Sequence, residues 1–185
     1  MSRTSTEALA ANTPWEIRDF VAARDLAGLR GLDASIETRR AYAVRSHVDG
    51  AGIGVTTLAK TMHKRFALDL DAVPIQQGWV AISGGRTRGF AGASIEPWNK
   101  RLAVWHFYVD RTCRRLGAGR LLMAAANAWG KRSGARTAWI ETSNLNVPGI
   151  HAYAALGFQI CGFDSSLYRG TVNEDEFAVF MSMPL

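Results

Sequence analysis

A chain of 185 residues, 48% hydrophobic and 21% charged, can bury one full core and is expected to form a single domain. No uninterrupted apolar run approaches the ~20 residues of a membrane span, so no membrane partner is expected. Cys113 and Cys161 make neither a disulfide framework nor a metal-ligand set with nearby histidines, which fits a cytoplasmic protein without a metal. The net charge of +6 points instead to an anionic ligand.

Residues 1–13 are small and polar with no signal-peptide core, and are expected to be a disordered leader to a domain spanning 14–185. Trp15 to Phe20 alternates as a strand, and Asp25 is placed to cap a helix with Leu26, Leu29 and Leu32 on one face. Arg40 to His47 and Ile53 to Ala59 flank a hairpin turn over Val48 to Gly52. Thr61 to Leu70 reads either as a short helix with Met62, Arg65 and Phe66 toward a cleft or as a loop over a site. Gly78 to Ser83 and Gly89 to Ile95 pair about a turn over Gly84 to Thr87, and a loop from Pro97 leads to an apolar strand, Leu102 to Val109. A helix then carries Leu121, Leu122, Ala125, Ala128 and Trp129 on one face and closes at Gly134. Thr137 to Thr142 is a strand on which Trp139 and Glu141 share a face. Asn144 to Gly157 is a short helix with Pro148 in its first turn and a glycine at its end. Phe158 to Phe163 and Phe177 to Met183 are closing strands around a polar, acidic loop. The order describes an α/β chain of α+β type, with a mixed, mostly antiparallel sheet and helices on both faces.

From Ala72 to Phe163 there are eleven Lys or Arg against three acids, Glu96, Asp110 and Glu141. No helix-turn-helix, zinc-finger spacing or aromatic RNA-binding motif accompanies this charge, so nucleic acid is not the expected partner. The charge centres on Arg114-x-x-Gly117-x-Gly119, between a strand and a helix. Glycines there let an anion approach the backbone, and the amides at the helix start point at it. The dinucleotide fingerprint would need a glycine where Leu122 stands, and a P-loop would need an absent Gly-Lys-Ser/Thr.

About thirty residues on stands Asn146-x-x-Gly149-x-x-x-Tyr153-x-x-x-Gly157-Phe158. Together the two motifs resemble the acetyl-CoA-binding core of the GNAT N-acetyltransferases, with Gly149 where alanine is usual. Asn146 to Tyr153, Gly157-Phe158, Cys161-Gly162, Leu167-Tyr168-x-Gly170-Thr171 and Met181 to Pro184, with Trp98-Asn99, are similar to the streptothricin (nourseothricin) acetyltransferases. A weaker match runs from Leu32-Asp-x-Ser35 through the first hairpin.

The resemblance implies a GNAT fold and acetyl-CoA as cosubstrate. It implies that Arg114, Arg115, Leu116, Gly117, Ala118, Gly119 and Arg120 hold its phosphates. Phe107, Tyr108 and Val109 would flank the thioester, the amides of the last two serving as oxyanion donors. Asn146 would meet the pantetheine arm or the sheet. Tyr153, with an ordinary pKa near ~10, would protonate the departing sulfur. Glu141 is the leading base for the acceptor amine, followed by His106 and then His151. The family pattern carries carboxylates before the pyrophosphate turn, where this chain has Val104-Trp-His-Phe-Tyr-Val109. Arg39, Arg40, Lys60, Lys64 and Arg65 populate the acceptor-side segments. The expected activity is therefore acetyl transfer to a primary amine of a small molecule, an antibiotic or metabolite less cationic than streptothricin, by a cytoplasmic homodimer. The alternatives are a peptide or protein N-acetyltransferase and a non-catalytic acyl-CoA-binding regulatory domain.

Overall fold

The computed structural model describes residues 15–66, 68, 70 and 75–185. The expected leader, and the boundary at residue 14, lie outside them. The chain runs β1 (Glu16–Asp19), α1 (Ala22–Arg30), β2 (Ile36–His47), β3 (Gly50–Lys64), β4 (Gln77–Ser83), β5 (Arg86–Glu96) and β6 (Arg101–Val109). It continues through a 3-10 turn (Arg111–Cys113), α2 (Ala118–Arg132), β7 (Thr137–Ser143), α3 (Val147–Ala155), β8 (Gln159–Asp164) and β9 (Ala178–Pro184). Two compact units divide it: Met1–Ala34, Arg65–Ala138 and Pro184–Leu185 form one, and Ser35–Lys64 and Trp139–Met183 the other.

In the first unit the strand order is β1-β4-β5-β6, and every neighbouring pair is antiparallel. Alternation along the strands gives the sheet two apolar faces. On one, Leu29 of α1 packs with fully buried Val80 and Phe90, joined by Phe20, Leu32, Ile82 and Tyr108. On the other lies α2. A Cβ at Gly89 would stand 3.0 Å from Leu122 Cδ1, so the missing side chain admits the helix.

The buried face of α2 is not the one expected. It consists of Ala118, Leu122, Met123, Ala126 and Gly130, while Leu121 is 42% exposed. The i, i+4 row of small residues decides it. A Cβ at Gly130 would lie 2.9 Å from Leu102 Cδ2, so the glycine lets the helix seat without displacing that buried side chain. Trp129 lies partly buried, edge-to-face with Trp79 at 5.8 Å between centroids.

Asp25 also differs from expectation. Val21 is the N-cap of α1, and Asp25 sits in the first turn, accepting the Val21 N–H at 2.8 Å and both Arg18 Nη groups at 2.8 Å. These bonds, Arg18 first, hold its carboxyl well below the usual carboxylate range. Its side chain is 2% exposed against 25% for Arg18, so truncation would leave a partly buried guanidinium without its partner. Asp25→Asn is expected to lose about 2 kcal/mol at neutral pH. A carboxyl with a depressed folded pKa stabilises above its unfolded pKa and loses that contribution as pH falls. The gap in urea midpoint between wild type and variant therefore narrows from pH 7 toward pH 3.

In the second unit, β2 and β3 form a ribbon with His47 opposite Gly50, so the turn is the two residues Val48-Asp49, tighter than expected. Thr61 to Lys64 are neither helix nor covering loop. They extend β3, with Lys64 opposite Ile36 and Met62 opposite Thr38. Residues 67 and 69 of that expected segment lie outside the described ones. From Trp139 onward, β7 heads the order β7-β9-β8, β8 and β9 are antiparallel, and α3 packs against β2.

Candidate active site

The basic turn of the first unit is built by its own backbone. Asp110 starts the 3-10 turn, its carboxylate accepting the Thr112 amide at 3.0 Å while its own N–H binds Arg88 O at 2.8 Å. Arg114 Nε donates to Val109 O at 3.2 Å, folding that side chain back on the strand. Arg115 takes φ 63° and Gly117 φ 98°, both left-handed, which reverses the chain into α2. The first intrahelical bond runs from Leu121 N to Gly117 O at 3.2 Å. The amides of Ala118, Gly119 and Arg120 thus precede any intrahelical acceptor, at the positive end of the helix. A Cβ at Gly119 would meet Phe107 Cζ and Val109 Cγ2 at 3.6 Å, an ordinary contact, so internal packing does not demand this glycine. Arg115 and Arg120 are exposed, and Leu116 O accepts from Trp15 Nε1 at 2.8 Å.

Phe107, Tyr108 and Val109 therefore lie with this turn. His106 is in the same unit but inside it, 5% exposed, with ring centroids 6.1 Å from Phe90 and 6.0 Å from Tyr108.

Glu141, Asn146 and Tyr153 belong to the second unit. Asn146 is the N-cap of α3, accepting from Gly149 N at 3.0 Å and donating to Thr142 Oγ1 at 2.9 Å. A Cβ on residue 149 would lie 2.6 Å from Asn146 Oδ1, which explains glycine at this position. Both polar ends of that amide hold α3 to β7. Tyr153 is 7% exposed, its ring 6.3 Å from that of Phe158, while His151 is on the exposed side of α3.

Around Glu141 the loop between β8 and β9 supplies partners. The Tyr168 hydroxyl donates to Glu141 Oε1. Ser143 Oγ and Lys64 Nζ both donate to Glu176 Oε2, and Lys64 also donates to Asn173 Oδ1 at 3.2 Å. Two carboxylates thus face one ammonium, with a net negative charge when Glu141 is ionised. Burial pushes the Glu141 carboxyl above its ordinary range, while the Tyr168 hydroxyl and the Lys64 charge draw it back. Burial, then the bond to Glu141, pushes the Tyr168 phenol up, so it remains a donor. Tyr168, Glu176 and Ser143 are not among the expected site residues, and Lys64 is expected only as one basic residue of the acceptor-side segments. Of the first three, only Tyr168 carries a signal, through its family resemblance.

Among the described residues no cluster of three or more His, Cys, Asp or Glu is placed to hold a metal, and no helix is long and apolar enough to cross a membrane.

Residues 56–158 match the acetyltransferase (GNAT) family. The chain is 36% identical over 178 residues to streptothricin acetyltransferase of Streptomyces lavendulae, covering 90% of this chain and 94% of that protein. The crystal structure of nourseothricin acetyltransferase superposes with a TM-score of 0.84 at 35% identity, over 93% of this chain and 99% of that one. A Bacillus anthracis chain assigned as a streptothricin acetyltransferase, solved in complex with acetyl coenzyme A, gives 0.78 at 26% identity, over 93% and 100%.

Proposed function

The chain belongs to the acetyltransferase (GNAT) family, has its α+β fold and moves acetyl from acetyl-CoA to an amine, and on that footing we propose that the acceptor is a streptothricin-class antibiotic. The observation that carries this reading is the acidic cluster of Glu141 and Glu176. Lys64, counted from the sequence as part of a basic acceptor side, is matched by Glu176 and adds no open positive charge. Arg39, Arg40, Lys60 and Arg65 are exposed, where their charge is screened by water, whereas a polycationic amine is drawn to the partly buried Glu141–Glu176 cluster, where attraction is screened less.

Acetyl-CoA supplies an activated acetyl thioester when bound. The residues fit it: Gly117, Gly119 and the amides of Ala118 to Arg120 form an open anion cradle, and Arg115 and Arg120 offset phosphate charge. Tyr108 and Val109 amides are assigned to the developing oxyanion. The Tyr153 hydroxyl, neutral at physiological pH, is assigned to protonate the leaving sulfur. Glu141 takes the proton that the acceptor ammonium must lose before its nitrogen has a lone pair to attack with. Asn146 positions α3 through one hydrogen bond at each end of its amide, which leaves one N–H and one lone pair for the pantetheine arm. Residues 14–185 form the catalytic domain, at work in the cytoplasm as a homodimer.

The acceptor reading is tested by thiol release across amines of rising charge, with peptides included. KM is expected to fall as acceptor charge rises, streptothricin giving the highest kcat/KM. A preference for neutral or anionic amines would sink the reading.

A further inference from the structure

We infer that Lys64 and Glu176 form a positioning pair that sets the charge state of Glu141, Lys64 favouring its ionised form and Glu176 moderating that pull. The inference rests on Glu141 as the base. Glu141 and Ser143 stand two apart on β7, so their side chains leave the same face about 7 Å apart. Ser143 Oγ and Lys64 Nζ meet on one oxygen of Glu176, so the ammonium lies at that face of β7, close enough for its charge to act on Glu141. Lys64 and Glu176 side chains are 13% and 12% exposed, too little for salt to screen them fully.

Among the described residues, Tyr168 of the β8–β9 loop bonds Glu141, the Lys64 charge of β3 acts on it, Ser143 shares its face of β7, and Glu176 of the β8–β9 loop bonds Ser143 and acts on Tyr168. Tyr168 is held protonated, and Ser143 is uncharged. Of these, Lys64 and Glu176 carry charges of opposite sign, so by Coulomb's law they bias the Glu141 carboxyl in opposite directions. At this range, part-buried, a unit charge moves a neighbouring titration by roughly one pH unit. Glu176 has a second consequence. By gripping Lys64 it keeps the ammonium from closing directly on Glu141, which would leave the carboxylate paired and a poor base.

The test is the pH profile of kcat/KM for the acceptor at saturating acetyl-CoA. Lys64→Met removes the positive neighbour, and its acid limb moves up by about one pH unit. Glu176→Gln removes the negative one, and its limb moves down. Lys64→Arg keeps the charge and the wild-type limb, which separates charge from packing. Limbs that stay put in both Lys64→Met and Glu176→Gln, or move the same way, overturn the pairing, as a purely structural role would lower rates without opposite shifts. Glu141→Gln run alongside distinguishes the premise. If it keeps the wild-type rate and acid limb, the base assignment fails and the inference with it; if it loses both while the other two limbs are unmoved, only the pairing fails.

Discussion

Glu141→Gln is expected to lower kcat about 10²- to 10⁴-fold while leaving the affinity for acetyl-CoA within about twofold. Glutamine keeps the shape and an oxygen that can accept the Tyr168 hydroxyl, so the β8–β9 loop stays attached to β7. It cannot take a proton. Burial holds the Glu141 carboxyl above the ordinary range, so the wild-type acid limb should lie above the usual ~4.3 of a glutamate and vanish in the variant. The linkage to stability has the opposite sign to that of Asp25. A carboxyl whose folded pKa is raised favours the fold in its protonated form, so wild-type stability declines as pH rises from the unfolded pKa through the folded one. Glutamine removes that decline. Urea denaturation at pH 4 and pH 8 should show the variant gaining on wild type at the higher pH. Circular dichroism and acetyl-CoA titration separate lost chemistry from lost structure; a folded variant turning over within threefold of wild type would eliminate Glu141 as the base.

Tyr153→Phe is expected to reduce kcat about 10²-fold with little change in KM for acetyl-CoA. The ring is 7% exposed and packs near Phe158, and phenylalanine preserves that packing. What it removes is one hydroxyl proton. Thiolate departure then depends on water, and the loss should be smaller for a thioester whose leaving thiol is more acidic. Steady-state kinetics with acetyl-CoA and an activated thioester analogue checks both parts. Equal losses for the two thioesters would remove Tyr153 from proton donation to the sulfur.

The two site motifs were legible because their signals are local. A strand, two glycines and a helix start specify the turn from Asp110 to Gly119, and the left-handed Gly117 is what a glycine in that place allows. Asn146 and Pro148 announce the start of α3 in the same way. The face of α2 was misread because periodicity weights large apolar residues, whereas the close approach to Leu102 is decided by Gly130. Asp25 was recognisable as a capping residue, but its true partner, Arg18, lies on the preceding strand. Thr61 to Lys64 became strand through pairing with Ile36 to Thr38 across a long ribbon, where no turn or cap marks the end. The acidic cluster was the least legible part. Lys64 and Glu176 are 112 residues apart and Glu141 and Tyr168 27 apart, so a lysine read as basic cleft and an acidic stretch read as loop neutralise one another only after folding.

The acceptor is tested most directly by mixing purified protein with acetyl-CoA and streptothricin and following thiol release and the mass of the antibiotic. One thiol is expected to be freed for each acetyl group gained by streptothricin, at a rate that Glu141→Gln lowers by about 10²-fold or more. Unmodified streptothricin, with thiol released only when some other amine or a peptide is supplied, would contradict that expectation.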